Sequence, residues 1–179
     1  MNKTVKIKDK IFEPLVLPVE IGYAVDAVAQ KINADYAGRE PLFLCILNGS
    51  FIFAADLLRR IDLPCRVSFI KYASYSGVRS THYVRDLIGV NENLAGQDVI
   101  IVEDIVDSGL TVSHLLKELE GKALSSLRIA AFCFKRSAFK ADFGIDYLGM
   151  EVPDEFLVGY GLDYEGYGRN LKGLYKLVK

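Results

Sequence analysis

The sequence predicts an α/β fold: a mainly parallel central sheet flanked by helices. Two observations carry this reading. Apolar runs of strand length alternate along the chain with segments whose apolar residues recur at helical spacing, and short turns of small residues follow several of the strands. Composition agrees, since the 179 residues are 51% hydrophobic and 25% charged, ordinary for a globular domain with a sizeable core.

The elements follow in order. Ile21, Ala24, Val25, Val28 and Ile32 fall on one helical face, which predicts a helix over about 19–33. "PLFLCIL", 41–47, is a continuous apolar strand, broken by Asn48-Gly49-Ser50. Phe51, Ala54, Ala55 and Leu58 give a second helix ending near Arg60. "CRVSFIKY", 65–72, alternates as a strand. From Ala73 to about Asn93 the chain is polar and long for a connection, which suggests a lid or a protruding hairpin. A buried strand over 98–102 comes next, then Val112, Leu115, Leu116 and Leu119 repeat the helical spacing up to Gly121. "LRIAAFCF", 127–134, and short strands near 145–149 and 155–160 complete the set.

This order implies one domain spanning 1–179, with a core over about 20–150. The flanking segments, about 1–19 with 150–179, are expected to form a small accessory lobe. No internal repeat, low-complexity tract or linker interrupts the chain.

Net charge is −1, so the whole chain shows no electrostatic footprint for nucleic acid or an anionic membrane. No apolar run approaches the roughly 18 residues of a membrane helix. The start, MNKTVKIKDK, is charged but leads into no apolar stretch, unlike a secretory signal. Cys45, Cys65 and Cys133 lie in apolar segments at spacings that match no metal or redox motif. They are expected to be buried free thiols in a reducing, cytoplasmic setting.

In a parallel sheet, ligands bind beyond the carboxyl ends of the strands. Three tight turns lie at such ends: 48–50, 104–109 and 135–138. The middle one is unusual. In "VIIVEDIVDSGLTV", 99–112, three carboxylates (Glu103, Asp104 and Asp107) stand beside a small-residue turn. Asp107-Ser108-Gly109-Leu110-Thr111 precedes a helix whose first amides can hold a phosphate, with the Ser108 and Thr111 hydroxyls as further donors. Taken alone, the turn is equally readable as a simple helix cap by Ser108 or Asp107. Glu103 and Asp104 tip the balance. Carboxylates repel phosphate but accept hydrogen bonds from sugar hydroxyls and coordinate Mg²⁺. A phosphate cradle beside an acid pair describes a ribose phosphate site. It is not a Walker loop, because no GxxxxGK[ST] occurs.

The motif "VIIVEDIVDSGLT" resembles the phosphoribosyl-pyrophosphate signature of the type I phosphoribosyltransferases. "ILNGSFIFAADL" at 46–57, "YASYSG" at 72–77, "FKRS" at 134–137 and "VPDEFLVGYGLDYEGYGRNL" at 152–171 resemble, in order and spacing, the hypoxanthine and hypoxanthine-guanine branch. The resemblance covers about 40–171, and the last block is the most discriminating part.

The resemblance implies the type I phosphoribosyltransferase fold, with a hood lobe built from the terminal segments. It also implies a reaction: a purine displaces pyrophosphate from C1′ of phosphoribosyl pyrophosphate to give the nucleoside monophosphate. Positive charge then grows on the sugar, which fixed carboxylates and a metal-held leaving group would stabilise. By the same resemblance Glu103 and Asp104 contact the ribose hydroxyls, and Asp107 exchanges a proton with purine N7. Ser108, Gly109, Leu110 and Thr111 cradle the 5′-phosphate.

Lys135 matches the donor to the 6-oxo group, and an ammonium, with donors only, favours oxo over amino. Without the resemblance Lys135-Arg136 reads as a solvated basic turn. Phe156 matches the aromatic that stacks on the base, a core phenylalanine being the alternative, and Leu157 reads the purine edge through its backbone. Asp163 matches a metal carboxylate, with Glu103 and Asp104 as further Mg²⁺ candidates. Arg169 matches a pyrophosphate contact whose planar fork suits phosphate. Leu47, Asn48 and Gly49 match the pyrophosphate loop, which in the family commonly holds a non-proline cis peptide. Many relatives carry lysine where this chain has Asn48, so that loop brings no charge here.

Ser74 and Tyr75 match a mobile lid, the alternative being a surface hairpin without that role. His82 and His114 fit no metal spacing and read as solvated. The family assembles as homodimers or homotetramers, commonly through the 48–60 segment. Two rivals remain at the level of sequence. One is a regulator of this fold that binds the sugar pyrophosphate or nucleotide without catalysis. The other is an enzyme that prefers guanine or xanthine to hypoxanthine.

Overall fold

The computed structural model describes residues 3–74, 84–88 and 93–178. Tyr75 and His82 lie outside them. In chain order the elements are β1 (Val5–Ile7), β2 (Lys10–Val16), α1 (Pro18–Asp35), β3 (Leu42–Leu47), α2 (Phe51–Leu58), β4 (Arg66–Ser74) and β5 (Val84–Ile88). There follow β6 (Asp98–Val106), α3 (Leu110–Leu119), β7 (Ser126–Phe134), β8 (Tyr147–Glu151), β9 (Leu157–Val158) and β10 (Leu174–Leu177).

The central sheet has the order β5-β4-β3-β6-β7-β8. Five strands run parallel, and β5 closes the edge antiparallel to β4. The period of two in a strand sends alternate side chains to opposite faces, and both faces are buried. Phe43, Cys45, Ile100, Val102 and Phe132 join α1 and α2 in one core. Leu42, Leu44, Val99, Ile101 and Ala131 meet Val112, Leu115 and Leu119 of α3 in the other. The apolar runs of β3 and of β6 up to Val102 are continuous because neither face of these stretches meets water.

Helix α1 starts one residue earlier than its apolar spacing indicates, at Pro18. Proline suits the first helical position because its missing N–H would have no partner there. The Glu20 carboxylate reaches back to accept from the Leu17 amide at 2.7 Å. Ile21, Val25, Val28, Ala29 and Ile32 form the buried stripe.

Strand β6 departs from expectation in a way that matters for the site. It continues four residues past Val102, so Glu103 and Asp104 lie within the strand rather than in a turn beyond it. The reason is its neighbours: pairing with β3 stops at Cys45↔Val102, whereas pairing with β7 runs on to Val106↔Phe134. The two acids therefore sit on a strand bordered on one side only.

The terminal segments form a second sheet, antiparallel throughout, in the order β1-β2-β10-β9. Its Phe12 is fully buried, and Leu157, Tyr160, Leu162 and Leu174 share a core with Phe53 and Phe132. This sheet thus packs onto the α1–α2 side of the larger one. Cys45 and Cys133 are buried and unpaired, while Cys65 is only partly buried. Burial pushes the Cys45 thiol up to about 12. His114, expected to be solvated, is instead packed edge-on against Tyr72 at 5.1 Å and lies 3.1 Å from Glu118. No helix among the described residues is long and apolar enough to cross a membrane.

Candidate active site

The carboxyl ends of β3, β6 and β7 converge with the 152–171 segment. At the end of β3 the Leu47–Asn48 peptide is cis, as the resemblance implied. Ser50 is fully buried, and its hydroxyl donates to the Ile46 carbonyl at 2.6 Å, pinning the turn to its strand. Gly49 has a neighbour on each side. A Cβ on Gly49 would lie 1.5 Å from Oδ2 of Asp104, and a Cβ on Gly161 would lie 2.1 Å from the Gly49 carbonyl oxygen. Gly161 also has φ +102°, a conformation that favours glycine. The loop after β3, the acid on β6 and the 159–162 turn are therefore in direct contact.

Both acids on β6 are held against ionisation. Burial raises Glu103 well above its usual range, and the neighbouring Asp104 adds to this. Its Oε2 is buried with no hydrogen-bond partner among the described residues. Burial likewise raises Asp104 to about 6, opposed by the Ile105 amide, which donates at 2.9 Å, and by Arg169. Groups of this kind suit a ligand that brings hydroxyl donors or a cation, either of which removes the penalty.

Beyond Val106 the chain turns through Asp107, Ser108 and Gly109 into α3. The cap of α3 is Gly109, at φ +86° and without a side-chain cap bond, rather than Ser108 or Asp107. This leaves both side chains free of that role. The turn surrounds a cavity of about 70 Å³ lined by Glu103 and by Ile105 to Val112. Helix geometry leaves the first amides of α3 without intrahelical acceptors. The turn is braced from outside: a Cβ on Gly109 would lie 2.7 Å from Cβ of Ala141 and 2.8 Å from the Phe139 ring, and the Lys140 amide donates to the Ser108 carbonyl at 3.2 Å.

Lys135 follows β7 directly. It is 8% exposed, so the solvated basic turn is excluded for it, whereas Arg136 is exposed and paired with Glu151. The Lys135 ammonium donates to Asp107 Oδ2 at 2.9 Å and lies 3.7 Å from Asp154 Oδ1. Phe156 is 45% exposed, which excludes a core role. Its ring is held by Phe12 at 6.3 Å and by Tyr164, edge-on, at 5.8 Å. Leu157 is buried and pairs with Lys176 between β9 and β10.

Asp163 accepts from the Gly166 amide at 2.7 Å and lies 2.5 Å from Arg169. Arg169 also donates to the Gly161 carbonyl at 2.6 Å. Ser74 ends β4, at the edge hairpin with β5.

Residues 19–165 match the family model for the phosphoribosyl transferase domain. The chain belongs to the phosphoribosyltransferase family. It is 37% identical over 172 residues to a hypoxanthine-guanine phosphoribosyltransferase of Aquifex aeolicus, covering 95% of this chain and 97% of that one. Against the hypoxanthine-guanine phosphoribosyltransferase of Bacillus subtilis it is 36% identical over 166 residues, 92% of each chain. Among solved structures, a Bacillus anthracis hypoxanthine-guanine phosphoribosyltransferase with HEPES in its active site superposes with a TM-score of 0.86 at 34% identity. That match covers 95% of this chain and 99% of the other. A Staphylococcus aureus hypoxanthine phosphoribosyltransferase gives 0.87 at 34% identity, over 93% and 91%. The fold is that of the type I phosphoribosyltransferases.

Set in this family, the expected residues fall into two neighbouring groups. Asp107, Lys135 and the Asp107–Thr111 turn stand together just beyond the ends of β6 and β7. Leu47 to Gly49, Asp104, Asp163 and Arg169 are linked through Gly49 and Gly161. Among the described residues no cluster of three or more His, Cys, Asp or Glu forms a ready metal site. The buried, unpartnered oxygen of Glu103 and the raised Asp104 nevertheless fit a cation that arrives with its ligand. Two residues at the site have no role in the motif reading. Asp154 lies within a quoted motif but reaches Lys135 only because β8 runs parallel to β7, with the Val152 amide donating to the Phe134 carbonyl. Tyr160, at φ +47°, donates to Asp56 at 2.9 Å and anchors the Gly161 turn to α2. Neither contact leaves a local signal in the sequence.

Proposed function

We propose that this phosphoribosyltransferase is a purine salvage enzyme. It joins hypoxanthine, and also guanine, to the ribosyl carbon of phosphoribosyl pyrophosphate, giving the nucleoside 5′-monophosphate and pyrophosphate. In the reaction the bond from C1′ to the pyrophosphate oxygen breaks, the bond from C1′ to the purine nitrogen forms, and the base gives up one proton. The observation that carries the reading is the 2.9 Å pair between Lys135 and Asp107, set where the phosphate turn begins. It unites a donor for a 6-oxo group with a carboxylate able to hold a purine proton.

The roles follow from position. The amides and hydroxyls from Ser108 to Thr111 hold the 5′-phosphate. Glu103 and Asp104 take the ribose hydroxyls, whose donors satisfy carboxylates that burial disfavours when they are empty. Asp107 holds the N7 proton. Lys135 donates to the 6-oxo group, Phe156 stacks on the base and Leu157 reads its edge through backbone atoms. Leu47, Asn48, Gly49 and Arg169 take the pyrophosphate, and Ser74 with Tyr75 forms the lid. Asp163, with Glu103 and Asp104, would hold Mg²⁺, which when bound would neutralise charge on the leaving pyrophosphate. The chain is one domain with its core over 20–150 and a hood built from 1–19 with 150–179.

A homodimer or homotetramer is supported by an apolar surface beside the site. Phe51 on α2 and Val67 and Phe69 on β4 are all 40–44% exposed, the two β4 residues on the sheet face that carries α2. No nucleic acid or membrane partner is invoked, and the three unpaired thiols suit a cytoplasmic setting.

A panel of hypoxanthine, guanine, xanthine, adenine and uracil with phosphoribosyl pyrophosphate and Mg²⁺ tests the reading. Nucleotide and pyrophosphate should form with hypoxanthine and guanine but not with adenine. Absence of any nucleotide at saturating Mg²⁺ would favour the non-catalytic regulator.

A further inference from the structure

Lys135 has two carboxylates and its ammonium is almost fully buried. Asp107 holds it at 2.9 Å, and Asp154, on the loop between β8 and β9, lies 3.7 Å away on another approach. The surplus matters because the two acids differ in what the reaction asks of them. Once Asp107 takes the proton released by the base it is neutral. If Asp107 were the sole counterion, the buried ammonium would lose its charge partner at that step, and a buried cation without one tends to shed its proton. A neutral amine would then face the 6-oxo group.

We propose that Asp154 is a positioning residue that holds the Lys135 ammonium on the 6-oxo group while Asp107 is engaged with the base proton. This rests on the reaction assigned above and adds a specificity element to it. Asp154 takes no part in the proton exchange, and its side chain is more than half exposed to water. The two neighbouring groups on the strand and turn that carry Lys135 do not substitute for Asp154. Arg136, next in the chain, is engaged with Glu151 of β8. Cys133 on β7 is a buried thiol that burial holds well above its usual range, hence neutral. Geometry thus assigns the two acids separate duties: Asp107 exchanges the proton, and Asp154 holds the charge.

Asp154→Asn tests this in the full-length protein with Mg²⁺ and phosphoribosyl pyrophosphate. The KM for hypoxanthine should rise by about tenfold or more, with the KM for phosphoribosyl pyrophosphate unchanged. Removing a negative neighbour lowers the lysine's affinity for its proton. The basic limb of kcat/KM for hypoxanthine should therefore move to lower pH. Asp154→Glu, which keeps the charge, should restore that limb. A purely structural role would alter both KM values together and leave the limb in place. If wild-type protein makes no nucleotide, the assigned reaction fails. If it does, and Asp154→Asn matches it in hypoxanthine KM and basic limb, the role of Asp154 alone is overturned.

Discussion

The α-carbon of Gly49 lies directly against the carboxylate of Asp104, so closely that a methyl group there would stand 1.5 Å from Oδ2. The loop after β3 and the Asp104 carboxylate on β6 are thus one packed unit. Gly49→Ala has to push the carboxylate aside, and overpacking of this kind costs about 1–3 kcal/mol. Its kcat/KM for phosphoribosyl pyrophosphate should fall by at least about tenfold. An unchanged value from steady-state kinetics would show that Asp104 does not need this position.

The raised acids also make stability depend on pH. Asp104 holds its proton to about pH 6 in the folded protein, against 3.8 for an ordinary aspartate. The folded state therefore binds more protons than the unfolded one between about pH 4 and 6, and stability falls as pH rises through that window. The loss is on the order of 3 kcal/mol. Glu103 acts in the same direction. Asp104→Asn should raise Tm at pH 7.5 by several degrees and remove part of the fall between pH 4 and 6, while weakening phosphoribosyl pyrophosphate binding. Thermal melts across that range, with and without substrate, check both effects. A lower Tm at pH 7.5 would count against the strain assigned to this acid.

Asp107 stands apart from that pair, half-exposed and matched to Lys135. Asp107→Asn keeps the shape and removes proton exchange. Turnover should drop by about 10²–10⁴-fold, with phosphoribosyl pyrophosphate affinity nearly intact, as read by isothermal titration. Equal loss in both would assign Asp107 to sugar binding instead.

Phe156 offers an exposed ring steadied from behind by Phe12 and Tyr164. Phe156→Ala should weaken base binding by about 1–3 kcal/mol, the usual worth of one base stacked on one aromatic. The KM for hypoxanthine should rise accordingly, with that for phosphoribosyl pyrophosphate little changed. A hypoxanthine KM equal to wild type would remove the stacking role.

Much of this is legible in the sequence. Strand β3 and the Ile129–Phe134 part of β7 stand out as unbroken apolar runs because they are buried on both faces, and α3 as a clean stripe ending at Gly121. The small-residue turn that leads into α3 is a local motif and reads directly. The terminal strands did not, because "KIFEPLV" and "LYKL" are short and depend for their pairing on partners about 160 residues away. The extent of β6 was hidden for a related reason: only β7 continues alongside it past Val102. Contacts such as Lys135–Asp154, Tyr160–Asp56 and Gly49–Gly161 arise from how strands and loops are juxtaposed, and residue type at one position does not encode them. His114 misled because its helical position is polar while its neighbour Tyr72 comes from β4.

The most direct measurement of the central claim is a crystal structure of the protein soaked with inosine monophosphate. The account predicts the phosphate on the amides of Ser108 to Thr111, the ribose hydroxyls against Glu103 and Asp104, and the base between Phe156 and Lys135. A nucleotide bound with its phosphate anywhere else would contradict it.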